Sequence, residues 1–130
     1  MYTAILTGSR NYSSGVRIYR FLNELSFNQR GLLLIRAGDC PTGLDSFVKS
    51  WCQDNHTNFK EYTAHWDEHG KSAGPIRNGE MVSDGADICY AFPDDSSRGT
   101  KDCATQAREA GIRVVFPDLP EWAHWAVPLV

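Results

Sequence analysis

Short apolar runs are spaced along the chain and separated by longer stretches of mixed polarity. The second run begins with four consecutive apolar residues, Leu32–Ile35, as in a strand covered on both faces, whereas the third alternates between apolar and polar residues. Runs of this length and composition are typical of β-strands. The predicted strands are Thr3–Leu6, Leu32–Ala37, Phe59–Ala64, Ala86–Phe92 and Ile112–Phe116.

The stretches between the runs carry apolar residues at helical spacing. Ser13 or Ser14 can cap the first helix, and Gly111 stops the last one. The polar connection from His65 to Gly74 is expected to be a loop, after which Gly74 and Pro75 open a short helix with Arg77 and Asn78 in its first turn. The residues expected to face the core are Ile18, Leu22, Leu25, Leu44, Phe47, Val48, Trp51, Cys52, Met81, Val82, Ala104, Ala107 and Ala110.

Strands that alternate with helices predict the α/β class. We expect a Rossmann-like three-layer α/β/α sandwich whose mostly parallel sheet has about five strands. Residues 1–118 form the predicted domain, and residues 119–130 form a tail that packs on it or on an oligomer partner. Such folds bind ligands beyond the carboxyl ends of the strands, where the strand order reverses.

Composition narrows the possible partners. The 130 residues carry a net charge of −3, so no overall basic character attracts nucleic acid, although a local basic patch stays open. No apolar run is long enough to span a bilayer, and the amino terminus has no leader pattern, so a soluble cytoplasmic protein without a membrane partner is expected. A homodimer or a larger homo-oligomer is possible.

Cysteine and histidine spacing gives no metal motif. The four cysteines contain no CxxC pair, and Cys52, Cys89 and Cys103 are expected to be buried thiols. His65 and His69 have helical ligand spacing but lack a third ligand, so solvated histidines are favoured. No metal is therefore predicted.

The segment from Gly38 to Asp45 has the composition of a glycine turn between a strand and a helix. One interpretation is a pocket for a phosphate-like anion, because a helix start offers unpaired N–H groups. The other is a tight turn in which Thr42 caps the helix and Asp45, three residues later, forms a near capping box with it. Three more unusual segments also follow strands, so all four should converge on one rim; these three are Gly8–Arg10, Trp66–Asn78 and Ser96–Thr100.

These segments, in this order and spacing, resemble the short single-domain, YspA-type branch of the SLOG superfamily, which is named for DprA-like proteins and Lonely Guy (LOG) phosphoribohydrolases. The resemblance covers roughly residues 3–116. It implies a Rossmann-like fold and a site for a nucleotide-like small molecule. No cofactor is predicted. The ligand- or phosphate-binding positions that it implies are Gly8, Ser9, Arg10, Gly38, Asp39, Thr42, Gly43, Asp45, Trp66, Lys71, Gly74, Arg77, Asn78, Ser97, Gly99 and Thr100.

Only some of the functional residues of the LOG enzymes have a match in this sequence. Arg77 matches the arginine of their Arg-Lys-x-x-Met segment, and Asn78 replaces the lysine. The position of their catalytic glutamate is Cys103, and the nearest carboxylate, Asp102, is one residue early, which rotates it by about 100° around the helix. Arg77, Asp102 and Asp45 are the candidate catalytic residues, and the alternative role of both carboxylates is to complement a helix dipole.

The chemistry of individual side chains suggests how they would contact such a ligand. The fork of Arg77 suits phosphate oxygens, Lys71 and Arg10 add charge, and Trp66 either stacks on a base or anchors the core or a lid. The main hypotheses are a nucleotide-binding sensor domain, a LOG-like phosphoribohydrolase that cleaves an N-glycosidic bond, and DprA-like binding of single-stranded DNA. A fourth hypothesis is a protein whose pocket is vestigial and whose surface binds a partner. The acidic pI of about 5.7 counts against the third.

Overall fold

The computed structural model describes residues 1–94 and 97–120, so the predicted tail lies outside the described residues from position 121 onward. The strands are β1 (Tyr2–Gly8), β2 (Leu33–Gly38), β3 (Asn58–Tyr62), β4 (Ile88–Phe92) and β5 (Arg113–Val115). The helices are α1 (Gly15–Asn28), α2 (Leu44–Asp54), α3 (Trp66–His69), α4 (Ala73–Ser83) and α5 (Arg98–Glu109).

The five strands form one sheet in the order β3-β2-β1-β4-β5, and every neighbouring pair is parallel. Alternate residues of β1 face opposite layers: Ala4 and Leu6 pack with α1 and α2, and Ile5 packs with α4 and α5. The predicted Rossmann-like α/β/α sandwich is therefore confirmed, with a wholly parallel sheet.

The apolar pattern of α1 is confirmed in detail. Ile18, Leu22 and Leu25 are buried, and the hydroxyl of Ser14 accepts a hydrogen bond of 3.2 Å from the amide of Arg17. Ser14 rather than Ser13 is thus the cap, because its hydroxyl reaches an amide that has no carbonyl partner in the first turn.

Several other boundaries differ from the prediction. The expected loop at 65–74 is instead helix α3 followed by a 3-10 turn over Gly70–Ser72. Helix α4 begins at Ala73, so Arg77 and Asn78 lie in its second turn rather than its first. Helix α5 begins at Arg98, two residues before the predicted start at Thr100.

Cys52, Cys89 and Cys103 are buried free thiols, as predicted, and Ala110 differs from the predicted core set because it is exposed. In the described ranges no three histidine, cysteine or acidic side chains are grouped to hold a metal ion. No helix there combines the length and apolar character that crossing a bilayer requires.

The strand order places a crevice above β1 and β4. From β1 the chain moves outward through β2 and β3 on one side, and β4 and β5 then extend the sheet on the other side. The connections that leave the carboxyl ends of β1 and β4 therefore separate toward opposite layers, and the gap between them is where α/β sheets bind ligands.

Candidate functional site

A cavity of about 270 Å³ lies at this crevice. Four chain segments line it: the end of β1 and its loop, the end of β2 with the start of α2, the middle of α4, and the start of α5. The lining residues are Thr7, Gly8, Ser9, Arg10, Asn11, Gly38, Cys40, Asp45, Arg77, Asn78, Met81, Ser97, Arg98, Gly99 and Thr100.

The loop after β1 and the start of α2 are locked together by backbone contacts. The carbonyl of Ser9 accepts hydrogen bonds of 3.1 Å from the amides of Leu44 and Tyr12. Gly43 has a φ of +71°, and a Cβ there would collide with the backbone of Ser9 and Arg10. Glycine at this position therefore allows the two turns to touch and fixes one wall of the cavity.

This junction corrects the capping prediction for the second helix. Gly43, not Thr42, is the N-cap residue, and no side chain caps the helix. The hydroxyl of Thr42 instead donates to the carbonyl of Arg10 at 3.0 Å. Because Ser9 already occupies the Leu44 amide, the start of α2 is less available to an anion than its sequence suggests.

Arg77 reaches from α4 across the end of β2. Its Nε donates to Oδ1 of Asn78 at 2.9 Å, its Nη1 donates to the carbonyl of Tyr62 at 3.3 Å, and Nη1 lies 3.5 Å from Oδ1 of Asp39. The side chain is only 14% exposed. A guanidinium held on several sides in this way is pre-organised for an anion.

Gly38 makes the approach of Arg77 possible. A Cβ at this position would lie 2.7 Å from Oδ2 of Asp45 and still closer to Nη1 of Arg77. The missing side chain thus lets a cation and a carboxylate meet the end of β2 from two helices.

Asn78 connects α4 to α5. It is 2% exposed, and its Nδ2 donates to the carbonyl of Gly99 at 3.2 Å and to Oδ2 of Asp102 at 3.0 Å. Its Oδ1 accepts from Arg77, so both ends of the amide are used. The asparagine that replaces the lysine of the LOG segment therefore orients Arg77 and holds the start of α5 beside it.

Asp45 lines the cavity as a carboxylate with an altered pKa. Burial raises its pKa to about 6, although the amide of Cys40, which donates to Oδ2 at 3.2 Å, and the charge of Arg77 both act to lower it. A partly buried carboxylate of raised pKa in a cleft is typical of functional sites.

The start of α5 forms the opposite wall. The first bond of this helix runs from the amide of Lys101 to the carbonyl of Ser97 at 3.1 Å, so the amides before Lys101 have no carbonyl of the helix to bind. The Ser97 hydroxyl is engaged with the backbone of Asp94 rather than with α5. Gly99 lines the cavity, and among the described residues no atom outside its own helix backbone and chain neighbours lies within 4 Å of a Cβ built on it.

The charges of the lining are opposite in sign to the charge of the chain. Arg10, Arg77 and Arg98 line the cavity, whereas Asp45 is the one carboxylate among its described lining residues. The chain as a whole carries −3. The cavity is thus a local cationic site on an acidic protein.

The structure gathers ten of the predicted site residues in the lining and leaves the others outside it. Asp39, Thr42 and Gly43 flank the cavity through the contacts above. Asp102 lies behind Asn78, where its Oδ2 also accepts from Gln106 at 2.9 Å. Trp66 is 51% exposed on α3, and Lys71 is also exposed. The remaining one, Gly74, is buried under the Trp66 ring.

The prediction of site residues omitted five lining residues, namely Thr7, Asn11, Cys40, Met81 and Arg98. Cys40 and Arg98 lie inside two of the segments that the sequence singles out, and Thr7 directly precedes a third, so these positions were the available signal. Met81 was assigned to the core, and nothing in the local pattern marks Asn11.

Comparison with known proteins adds one relationship. No family model matches the chain. The Gene 61 protein of Mycobacterium phage D29 is 37% identical over 127 residues, which cover 92% of this chain and all of that protein. Identity at this level along the whole length shows common descent, and this chain belongs to the family of the Gene 61 protein of Mycobacterium phage D29.

Proposed function

We propose that the cavity binds a nucleotide or a ribose-phosphate ligand and that the protein is a sensor or binding domain of SLOG type. One observation carries this proposal: three arginines and the open start of a helix meet in a cavity at the strand-order reversal. This combination supports a ligand with a phosphate, because arginine and helix amides both favour phosphate oxygens.

The phosphate is best accommodated at the start of α5. This helix has 12 residues, so its dipole contributes positive potential at its amino end. Arg98 stands in its first turn, and Arg77 is tied to the same turn through Asn78 and the carbonyl of Gly99. The volume of about 270 Å³ favours a single sugar phosphate or a mononucleotide over a dinucleotide.

A LOG-like phosphoribohydrolase is the second candidate. The raised pKa of Asp45 supports it, because a carboxyl group that titrates at about 6 can act in acid–base catalysis near neutral pH. Two facts oppose it: Cys103, at the position of the LOG glutamate, is fully buried, and Asp102 is engaged by Asn78 and Gln106. Binding without hydrolysis is therefore the better-supported function.

Two measurements test the proposal. Titration calorimetry with ribose 5-phosphate should show saturable binding that Arg77→Ala removes and that Arg20→Ala, an exposed arginine on α1, leaves unchanged. Mass spectrometry of small molecules that co-purify with the protein would identify the natural ligand. If neither ribose 5-phosphate nor inorganic phosphate binds and nothing co-purifies, the proposal is wrong.

The hydrolase alternative has its own readout. Incubation with a panel of nucleoside 5′-monophosphates should leave them intact if the protein only binds them. If free base is released, and if Asp45→Asn abolishes this release, the protein is a hydrolase rather than a binding domain.

A further inference from the structure

The cavity has two chemically different ends. Asp45 follows β2, the start of α5 follows β4, and β1 lies between these strands. Two strand spacings separate β2 from β4, which is about 10 Å. A single phosphate is smaller than this span, so a ligand that contacts both ends carries a second kind of polar group.

The carboxylate of Asp45 makes few described contacts that would stabilise the fold. Its described hydrogen bond is with the amide of Cys40 at 3.2 Å, and the ion pair of Arg77 is with Asp39 instead. A charged carboxylate only accepts hydrogen bonds and has room for several donors on its two oxygens. Hydroxyl groups of a ligand are suitable donors, whereas a second phosphate at this end would meet a like charge.

The surroundings support this assignment. Asp45 and Arg77 both line the cavity beside Gly38, so a ligand in it can contact both of them. Arg77 lies at the same end of β2 as Asp45, and Asn78 joins Arg77 to the start of α5. A sugar whose phosphate lies at α5 would therefore present its ring hydroxyls toward Asp45.

We propose that Asp45 recognises vicinal hydroxyls of the ligand, so that the cavity selects a sugar or nucleoside with a free diol and one phosphate. This inference rests on the proposed function, because it assumes a phosphate at the other end. It assigns a specificity-determining role to Asp45 and defines the ligand class as ribo rather than deoxyribo, and as singly rather than doubly phosphorylated.

The experiment measures affinities of the full chain at pH 7.5 by titration calorimetry. The probes are ribose 5-phosphate, 2-deoxyribose 5-phosphate and inorganic phosphate, and the variants are Asp45→Asn and Asp45→Ala. Asp54→Asn, at the far end of the same helix, is the matched control. Thermal unfolding of each variant shows that it is folded.

For the unaltered protein we expect ribose 5-phosphate to bind about tenfold more tightly than 2-deoxyribose 5-phosphate, since a hydrogen bond to a charged group is lost in the deoxy sugar. Asp45→Ala should reduce this ratio to below about twofold, and Asp54→Asn should leave it unchanged. In Asp45→Asn, which keeps an acceptor but no charge, we expect an intermediate ratio.

Three results would overturn the inference: equal binding of both sugars by the unaltered protein, an unchanged ratio in Asp45→Ala, or equal loss of both sugars in that variant. Each of these still leaves phosphate-dependent binding in place, so the proposed function survives. Absence of binding of all three probes to the unaltered protein is the separate result that removes the proposed function and this inference with it.

Discussion

The Nδ2 group of Asn78 donates a hydrogen bond of 3.0 Å to Oδ2 of Asp102 and so joins α4 to α5 across the back of the cavity. Gln106 donates to the same oxygen at 2.9 Å and to the carbonyl of Pro75 at 3.1 Å. Asp102 is thereby a positioning residue: it holds Asn78, and Asn78 holds Arg77.

Removing either partner should reveal this coupling. We expect Asn78→Ala to lower the free energy of unfolding by about 1–3 kcal/mol, because it leaves buried polar groups of α5 without their donor. Asp102→Ala should cost about 1 kcal/mol, since Asp102 is less buried. Urea denaturation of both single variants and the double variant should give a coupling energy of at least about 0.5 kcal/mol. Strictly additive effects would contradict the network.

The guanidinium of Arg77 is expected to serve the ligand more than the fold. Arg77→Ala should weaken binding of ribose 5-phosphate at least about tenfold. It should lower the free energy of unfolding by only about 1 kcal/mol, the cost of leaving the buried Asn78 oxygen without its donor. Arg77→Lys should restore part of the charge but not the fork. Calorimetry and urea denaturation measure the two effects. Unfolding of Arg77→Ala would make the residue structural.

Two glycines in the cavity should respond differently to alanine. At Gly38 the added methyl group would displace Asp45 and Arg77, so Gly38→Ala should lose both stability and binding. Gly99 lines the cavity, and a methyl group there would meet no described atom within 4 Å outside its own helix backbone and chain neighbours. Gly99→Ala should therefore keep or raise stability, by up to about 1 kcal/mol from helix propensity, while it weakens binding. Equal binding by Gly99→Ala and the unaltered protein would place the ligand elsewhere.

Asp45 should make stability depend on pH. Burial raises its pKa in the folded protein to about 6, above the value of about 4 in an unfolded chain, while Arg77 acts against this shift and Asp39 and Glu61 add to it. The folded state then binds this proton more tightly, so the contribution of Asp45 to stability declines as pH rises from about 4 to about 6 and stays low above that.

Asp45→Asn tests this dependence, because it removes the charge and keeps the shape. At pH 7.5 the variant should be more stable than the unaltered protein by about 1–3 kcal/mol, and near pH 4.5 the difference should shrink. Urea denaturation of both proteins across this pH range gives the difference directly. A difference that does not vary with pH would show that Asp45 titrates normally. Extra stability in the variant is the behaviour expected where a fold gives up stability for function.

Much of this protein follows from local sequence. The apolar runs and helical spacings determine the α/β class and most of the core, because burial of one face depends on periodicity alone. The glycines at positions 8, 38 and 43 also marked the turns correctly. At each of them, atoms of another segment come too close to the backbone to leave room for a Cβ. Arg77 could be singled out because its motif has a recognisable spacing.

The tertiary structure decided what those turns do. The sheet order places β1 between β2 and β4, so Arg98 reaches the cavity while Lys71 and Trp66 remain outside it. Ser9, 35 residues away in the sequence, occupies the amide of Leu44, and Asp102 holds Asn78 instead of facing the ligand. Such pairings join residues that are distant along the chain. No local pattern encodes them, because they arise only when the layers pack.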